Sequence, residues 1–182
     1  MARHYEVRPV RAHEWREIKD LRLRALADEA APMAFLESHA EASTRPDGFW
    51  QDRARGSSVE AGPGAGARQF VAVTEDGGWV GTAVALVEKA GDVDFEGATV
   101  EKSGGHVVGV FLSPDDRGQG VLERLFEAVT DWLRDVGLDH VRLYVHAENA
   151  RAQRAYEKSG FRPTGRQISS TVGPEIEMAR TL

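Results

Sequence analysis

Along the chain, apolar residues recur first every second position, then every third or fourth, then every second again. Tyr5 and Val7 alternate with polar neighbours ahead of Pro9. That pattern predicts a strand over residues 5–10, at a sheet edge, because proline donates nothing to an inner ladder. Trp15, Ile18, Leu21, Ala25 and Leu26 follow at roughly 3.6-residue spacing and predict a helix over 13–30, ending near Ala31-Pro32. Residues 41–55 predict a second, more polar helix carrying Phe49 and Trp50. Residues 56–67, GSSVEAGPGAGA, are Gly, Ser, Ala and Pro punctuation and predict a flexible loop, neither helix nor strand.

Period two returns at Phe70 and Ala72 against Val71 and Val73, and an apolar run covers 79–87. With Asp76-Gly77-Gly78 between them, these predict a hairpin. Residues 91–105 are polar and acidic, with Asp92, Asp94, Glu96 and Glu101, and read as a solvated loop. Residues 107–112 predict a buried strand, and Arg117-Gly118-Gln119-Gly120 a tight turn. Leu122, Leu125, Phe126, Val129, Trp132, Leu133 and Val136 mark one face of a long helix closed by Gly137. A strand over 140–145 comes next. Asn149 then caps a short helix that carries Ala152, Ala155 and Tyr156 and stops at Gly160. Two weaker strands near 161–168 and 175–180 finish the chain.

The order β, α, α, β, β, β, α, β, α, β, β predicts an α/β (α+β) fold. Its mixed central sheet has an antiparallel hairpin early and one parallel pair made by a right-handed crossover, with helices on both faces. The chain has 182 residues, which suits a single domain over 1–182 interrupted by the 56–67 loop. Hydrophobic residues at 41% and charged residues at 29% exclude disorder of the whole chain. A net charge of −6 argues against nucleic acid or an anionic membrane surface as partner, yet leaves room for a local basic pocket. The sequence has no cysteine, which excludes disulfides, thiolate zinc sites and a cysteine nucleophile, and fits a reducing cytoplasm. No apolar stretch approaches the roughly 20 residues of a membrane helix. The first residues lack the apolar region of a secretory signal, so a cytoplasmic protein is expected.

The strand–glycine turn–helix segment is built to hold an anion. A helix N-terminus leaves N–H groups unpaired and carries partial positive charge. Glycines let that backbone approach an anion, and Arg117 adds a charged fork of donors. No Gly-Lys-Ser/Thr follows, so this is not a Walker A loop, and Glu123 stands where a dinucleotide G-x-G-x-x-G would need glycine. A second run follows the next strand, with Asn149, Ala152, Tyr156, Gly160 and Phe161 spaced as N-x-x-A-x-x-x-Y-x-x-x-G-F.

The two motifs together resemble the GNAT superfamily of acetyl-CoA-dependent N-acetyltransferases, whose pyrophosphate loop reads R-G-x-G-x-[GA]. With the segment between them they cover about a third of the chain. The resemblance implies a GNAT-like fold and an acyltransferase that moves acetyl from acetyl-CoA to a primary amine by direct attack in a ternary complex, with no metal. It implies that the Val110, Phe111 and Leu112 backbone lines the pantetheine arm. It implies that Arg117 and the amides of Gly118, Gln119, Gly120, Val121, Leu122 and Glu123 surround the pyrophosphate. Asn149 would bond the pantetheine end, and Tyr156 would be the acid that protonates the departing thiolate. Leu122 departs from the pattern, since the family usually has Gly or Ala there.

A family Glu on the strand before the glycine turn has no counterpart in Val107-Val108-Gly109-Val110-Phe111. His106, His146, Glu37 and His39 are candidate bases with equally ordinary core or surface roles, and none is assigned. Arg151, Arg154, Lys158, Arg162 and Arg166 either face an adenosine 3′-phosphate or form a solvated helix face. The partner expected is an amine acceptor, which the sequence does not name; Asp92, Asp94 and Glu96 either attract such a cation or form a solvated loop, and the loop is preferred. A homodimer rests on family analogy alone. Two other readings stand beside the enzyme. One is an acyl-CoA-binding sensor of the same fold; the other is a nucleotide-binding protein, which the missing lysine and metal-binding acids disfavour.

Overall fold

The computed structural model describes residues 4–182; residues 1–3, part of the N-terminal stretch just considered, lie outside the described residues. Its strands are β1 (Tyr5–Pro9), β2 (Ala67–Thr74), β3 (Trp79–Glu88), β4 (Gly104–Leu112), β5 (His140–His146), β6 (Arg162–Ser170) and β7 (Gly173–Thr181). Its helices are α1 (Trp15–Leu26), α2 (Ala31–Ala34), α3 (His39–Ser43), α4 (Asp47–Ser57), α5 (Val121–Asp135) and α6 (Ala150–Lys158). The strands form one mixed sheet in the order β1-β2-β3-β4-β5-β7-β6. Proline-bearing β1 is at an edge, as expected. The β4–β5 pair is the parallel one, and its two registered positions are Gly105 with Val141 and His106 with Arg142.

Strand alternation sends each face to a different helix layer. Phe70, Ala72, Ala83 and Ala85 pack against Leu125, Phe126, Val129 and Leu133 of α5. Val71 and Val73 point the other way, into Ile18, Leu21 and Ala25 of α1 and Trp50 and Ala54 of α4. Helices therefore cover both faces. No helix among the described residues is long and apolar enough to cross a membrane.

Four expectations change. Helix α1 stops at Leu26, where its apolar stripe ends, and not at residue 30. Pro32 opens the short α2, which suits a residue with no N–H to satisfy in a first turn. The second helix is two helices. A capping box between Ser38 and Glu41 starts α3, and Pro46 sits at the N-cap of α4. The segment 56–67 is not all loop. Helix α4 runs to Ser57, a single 3-10 turn spans Val59–Ala61, and β2 begins at Ala67. Ser58 is fully buried, and the Val59 N–H donates to the Val10 carbonyl at 3.0 Å, which ties this segment to the end of β1. Nor is 91–105 wholly solvated: the Asp94 side chain is 2% exposed and paired with Arg142.

Candidate active site

Beyond His106 and Arg142 no register joins β4 to β5, although both strands run on. The parting opens a cleft whose wall is the β5-facing edge of residues 108–112. A β-bulge bends that edge. Thr82 pairs with Phe111 and Val84 with Val108, so Ala83 alone opposes Gly109 and Val110. Gly109 takes a φ of +61°, and a Cβ there would meet Val84 at an ordinary 3.6 Å. Backbone conformation, not crowding, asks for glycine.

At one end of the cleft lies the glycine turn. Arg117 is a brace as well as a charge: its Nε donates to the Leu112 carbonyl at 3.1 Å and its Nη2 to Asp28 Oδ2 at 2.8 Å. That second bond pins the chain after α1 to the turn. Gly118 and Gly120 both have positive φ, and a Cβ on either would meet no protein atom within 4 Å. Gly120 is the N-cap of α5, with no side chain capping it. The first amides of the helix, from Val121 to Glu123, therefore have no intrahelical acceptor. They border a groove of about 300 Å³ whose other wall carries Arg151, Arg154 and Lys158 of α6. Val121 is fully buried in the core. Leu122 is half-buried against the same core and also borders the groove, while Gln119 is exposed.

A second cavity, of about 610 Å³, lies at the other end. The two share Ala34, Phe35, Val110, Asn149 and Tyr156. Asn149 Oδ1 accepts from the Ala152 N–H at 3.1 Å, so it is the cap of α6 as well as a lining residue. Tyr156 stands edge-on to Phe126, with ring centroids 5.5 Å apart. Burial pushes its phenol up to about 12 despite the opposing pull of Arg151, so it holds its proton throughout the neutral range. A wider, shallow depression of about 1190 Å³ lies elsewhere, between α1 and the β2–β3 turn, and reaches neither the glycines nor Tyr156.

Glu88, Asp94 and Tyr144, which line the second cavity, belong to an ion network centred on Arg142. Arg142 donates to both oxygens of Glu88 at 2.8 and 2.7 Å, to Asp94 at 3.1 Å and to Glu177 at 3.1 Å. These contacts raise the Arg142 pKa above its ordinary value and lower those of Asp94 and Glu177. Tyr144 donates to Glu177 at 2.9 Å. His106 is buried among Tyr144, Phe95 and Glu88, and burial holds its pKa down to about 4. Each candidate base is either weakened, engaged or outside the cavities. His106 is too weak a base for the task. His146 Nδ1 accepts from the Glu148 N–H, which leaves the proton of the neutral ring on Nε2, against Gly173. Glu37 holds Arg22 and Arg45, and His39 opens α3 outside both cavities. Of the basic set, Arg151, Arg154 and Lys158 face the groove. Arg162 caps the Glu157 and Phe161 carbonyls, and Arg166 pairs with Glu96 at 3.1 Å, away from it. The sequence reading passes over Arg142, Tyr144, Glu88 and Glu177. The first two were signalled by polar residues alternating with Val141, Leu143 and Val145.

The model of the acetyltransferase (GNAT) family matches residues 21–161. The chain belongs to this family. Mycothiol acetyltransferase of Beutenbergia cavernae is 47% identical over 58 residues, 32% of this chain and 19% of that protein. The chain thus matches about a fifth of that relative's length. Among solved structures, ribosomal-protein-S5-alanine acetyltransferase from Vibrio fischeri superposes with a TM-score of 0.72 at 20% identity, over 98% of this chain and 93% of that one. YncA of Salmonella typhimurium, described as a putative acetyltransferase and solved with acetyl-CoA, superposes at 0.68 and 16% identity, over 98% and 94%. At these identities the likeness is one of fold. Both structures share this chain's fold over nearly its whole length.

Proposed function

We propose that the protein is an N-acetyltransferase that moves the acetyl group of acetyl-CoA to a primary amine by direct attack in a ternary complex. One observation carries this reading: two cavities, one lined by helix-end amides and cations and the other by acids, two arginines and apolar side chains, meet at Val110, Asn149 and Tyr156. The groove residues fit the CoA end. Gly118 and Gly120 leave it free of side chains, the 121–123 amides face it, and Arg151, Arg154 and Lys158 supply charge for phosphates. Acetyl-CoA supplies an activated thioester.

The chain's residues would do the rest. The open edge of β4 at the Gly109–Val110 bulge offers backbone groups to an amide-bearing ligand and to the thioester oxygen. The amine lone pair attacks the carbonyl carbon, a C–N bond forms, and the C–S bond breaks. The amine gives up a proton to solvent, and the Tyr156 hydroxyl gives one to the leaving sulfur. Held protonated, Tyr156 is an acid in the required state at neutral pH.

A second reading keeps the CoA site and drops the turnover. It is favoured by the lack of a free candidate base in the cavities, His106 being weakened, His146 and Glu37 engaged and His39 outside, and by Leu122 at the groove. Calorimetric titration of acetyl-CoA followed by thiol release over an amine panel separates the two. Saturable binding with amine-dependent thiol release supports the enzyme. Binding without release from any amine leaves the sensor, and no binding at millimolar acetyl-CoA refutes both.

A further inference from the structure

The acceptor-side cavity carries an unbalanced charge on its α1–α4 wall. Arg22 of α1 and Arg53 of α4 both line it, and the Arg22 guanidinium lies under the Phe35 ring at 4.6 Å. The carboxylate beside them is Glu37. Its Oε2 accepts from Arg22 at 3.3 Å and its Oε1 from Arg45 at 2.5 Å. Both oxygens are thus taken by two cations. The guanidinium of Arg53, the third, has no hydrogen-bond or ion-pair partner among the described residues; outside the backbone ladder of α4, the only bond to this residue is that of the Ser57 hydroxyl to its carbonyl. Arg22 Nε is buried and likewise unpartnered. Within the cavity lining, Arg22 and Arg53 face the single carboxylate of Glu37, which leaves one positive charge unbalanced in a partly buried wall, while Arg45 lies outside the lining and is 41% exposed.

Arginines this close repel. Burial lowers the pKa of Arg22 and Arg53, and Arg22 and Arg45 lower that of Arg53 further. Both still carry their charge at neutral pH. Glu88 and Asp94 line the same cavity but are committed to Arg142, and neither acts on Arg53. Such a wall is costly empty and favourable once an anion sits on it. Its position is also specific. Arg22 and Arg53 border a small recess with Gln69, Thr82 and Gly109, so the cations stand beside the bulge of β4. Across the cavity mouth, Leu36, Val93 and Phe95 are exposed apolar side chains.

We propose that Arg22 and Arg53 hold a carboxylate on the acceptor, so that the substrate is a small zwitterionic amine of amino-acid type. The proposal rests on the acetyltransferase reading above. Two guanidinium forks match a planar, two-oxygen anion. The cavity has the size of a small-molecule site, and its apolar rim suits an apolar side chain.

The test uses the full chain with leucine and phenylalanine as acceptors, their carboxamides, the corresponding amines lacking the carboxyl group, and O-phosphoethanolamine. Thiol release is followed alongside thermal melting. Wild-type protein should favour the free amino acids by about 100-fold or more in kcat/KM, because their analogues leave buried donors unpaired. Arg53→Met should shrink that preference to a few-fold and leave acetyl-CoA affinity unchanged. Arg53→Lys, which keeps the charge and loses the fork, should fall between. The variant without its acceptor should melt no lower than wild type, since it loses an unpaired charge. Equal or better turnover of the carboxyl-free amines, or a preference for the phosphate, overturns the proposal and spares the acetyltransferase reading. If no amine is turned over, melting decides. A shift with free amino acids in wild type, absent in Arg53→Met and with the carboxamides, keeps the anion site and removes the acetyltransferase reading. No such shift overturns both.

Discussion

Tyr156 and His106 show how a single environment sets what a side chain can do. Both line the second cavity, His106 buried and Tyr156 partly buried, and desolvation disfavours whichever form is charged. For Tyr156 that means the phenolate, for His106 the imidazolium. Replacing Tyr156 by Phe keeps the ring against Phe126 and removes the proton. Turnover should drop by roughly 10²- to 10⁴-fold, the usual span for a lost acid. The acetyl-CoA dissociation constant should move by less than about threefold; equal turnover in both proteins would withdraw the acid assignment. His106 has a consequence for stability. Its pKa falls from about 6.5 unfolded to about 4 folded. Between those values the unfolded chain binds the extra proton, so stability is complete above pH 6.5 and is lost as pH falls towards 4. The loss approaches about 3 kcal/mol. Asp94 and Glu177, whose folded pKa values are lowered, lose their share in the same direction, as pH falls through those lowered values. Urea melts at pH 7 and pH 5 should show the drop, and His106→Gln should flatten it; a pH-independent midpoint in wild type would contradict the buried, neutral ring.

At the scale of elements, the turn into α5 is the most sensitive. Gly120 has φ +76° at the helix cap, a conformation that costs any L side chain, and its Cα borders the groove. Gly120→Glu adds strain and a negative charge to the groove proposed for the CoA phosphates. Acetyl-CoA affinity should fall beyond calorimetric detection while circular dichroism stays native. Arg117→Ala strips Asp28, which lines the same groove, of its cation. Affinity should fall roughly 10- to 100-fold, the range for one charge-assisted hydrogen bond. This element was legible because its signals are contiguous: a buried strand, two glycines and a seven-residue apolar stripe. The α1–α4 region was less so. Residues 27–30 favour helix by composition, but they have no apolar stripe to bury, and Asp28 is drawn off to the Ala30 N–H and to Arg117. The Ser38–Glu41 box and Pro46 did mark the true breaks. Nothing local marks the buried Ser58 or the Val59–Val10 bond, because both depend on a strand nearly fifty residues away. Arg22, Glu37 and Arg53 likewise sit on three separate segments, and each alone looks like an ordinary charge on a helix or turn.

Across the whole molecule, the sheet is two antiparallel blocks, β1–β4 and β5–β7, sewn together by two registered positions. The α5 helix leans on the first block and α6 follows from the second. Such a seam is where cooperativity is weakest, and the blocks should exchange their amide hydrogens as separate units. Amides of residues 108–112 should exchange faster than those of β2 and β3 in the free protein. A ligand lying in the parting would stand in for the absent strand. Hydrogen exchange with and without acetyl-CoA should then show protection spreading to both blocks at once, and protection confined to the glycine turn would mean the parting is left unfilled. On the proposed reading the seam is also a thermodynamic register: a ligand that completes the sheet would make the chain one cooperative unit.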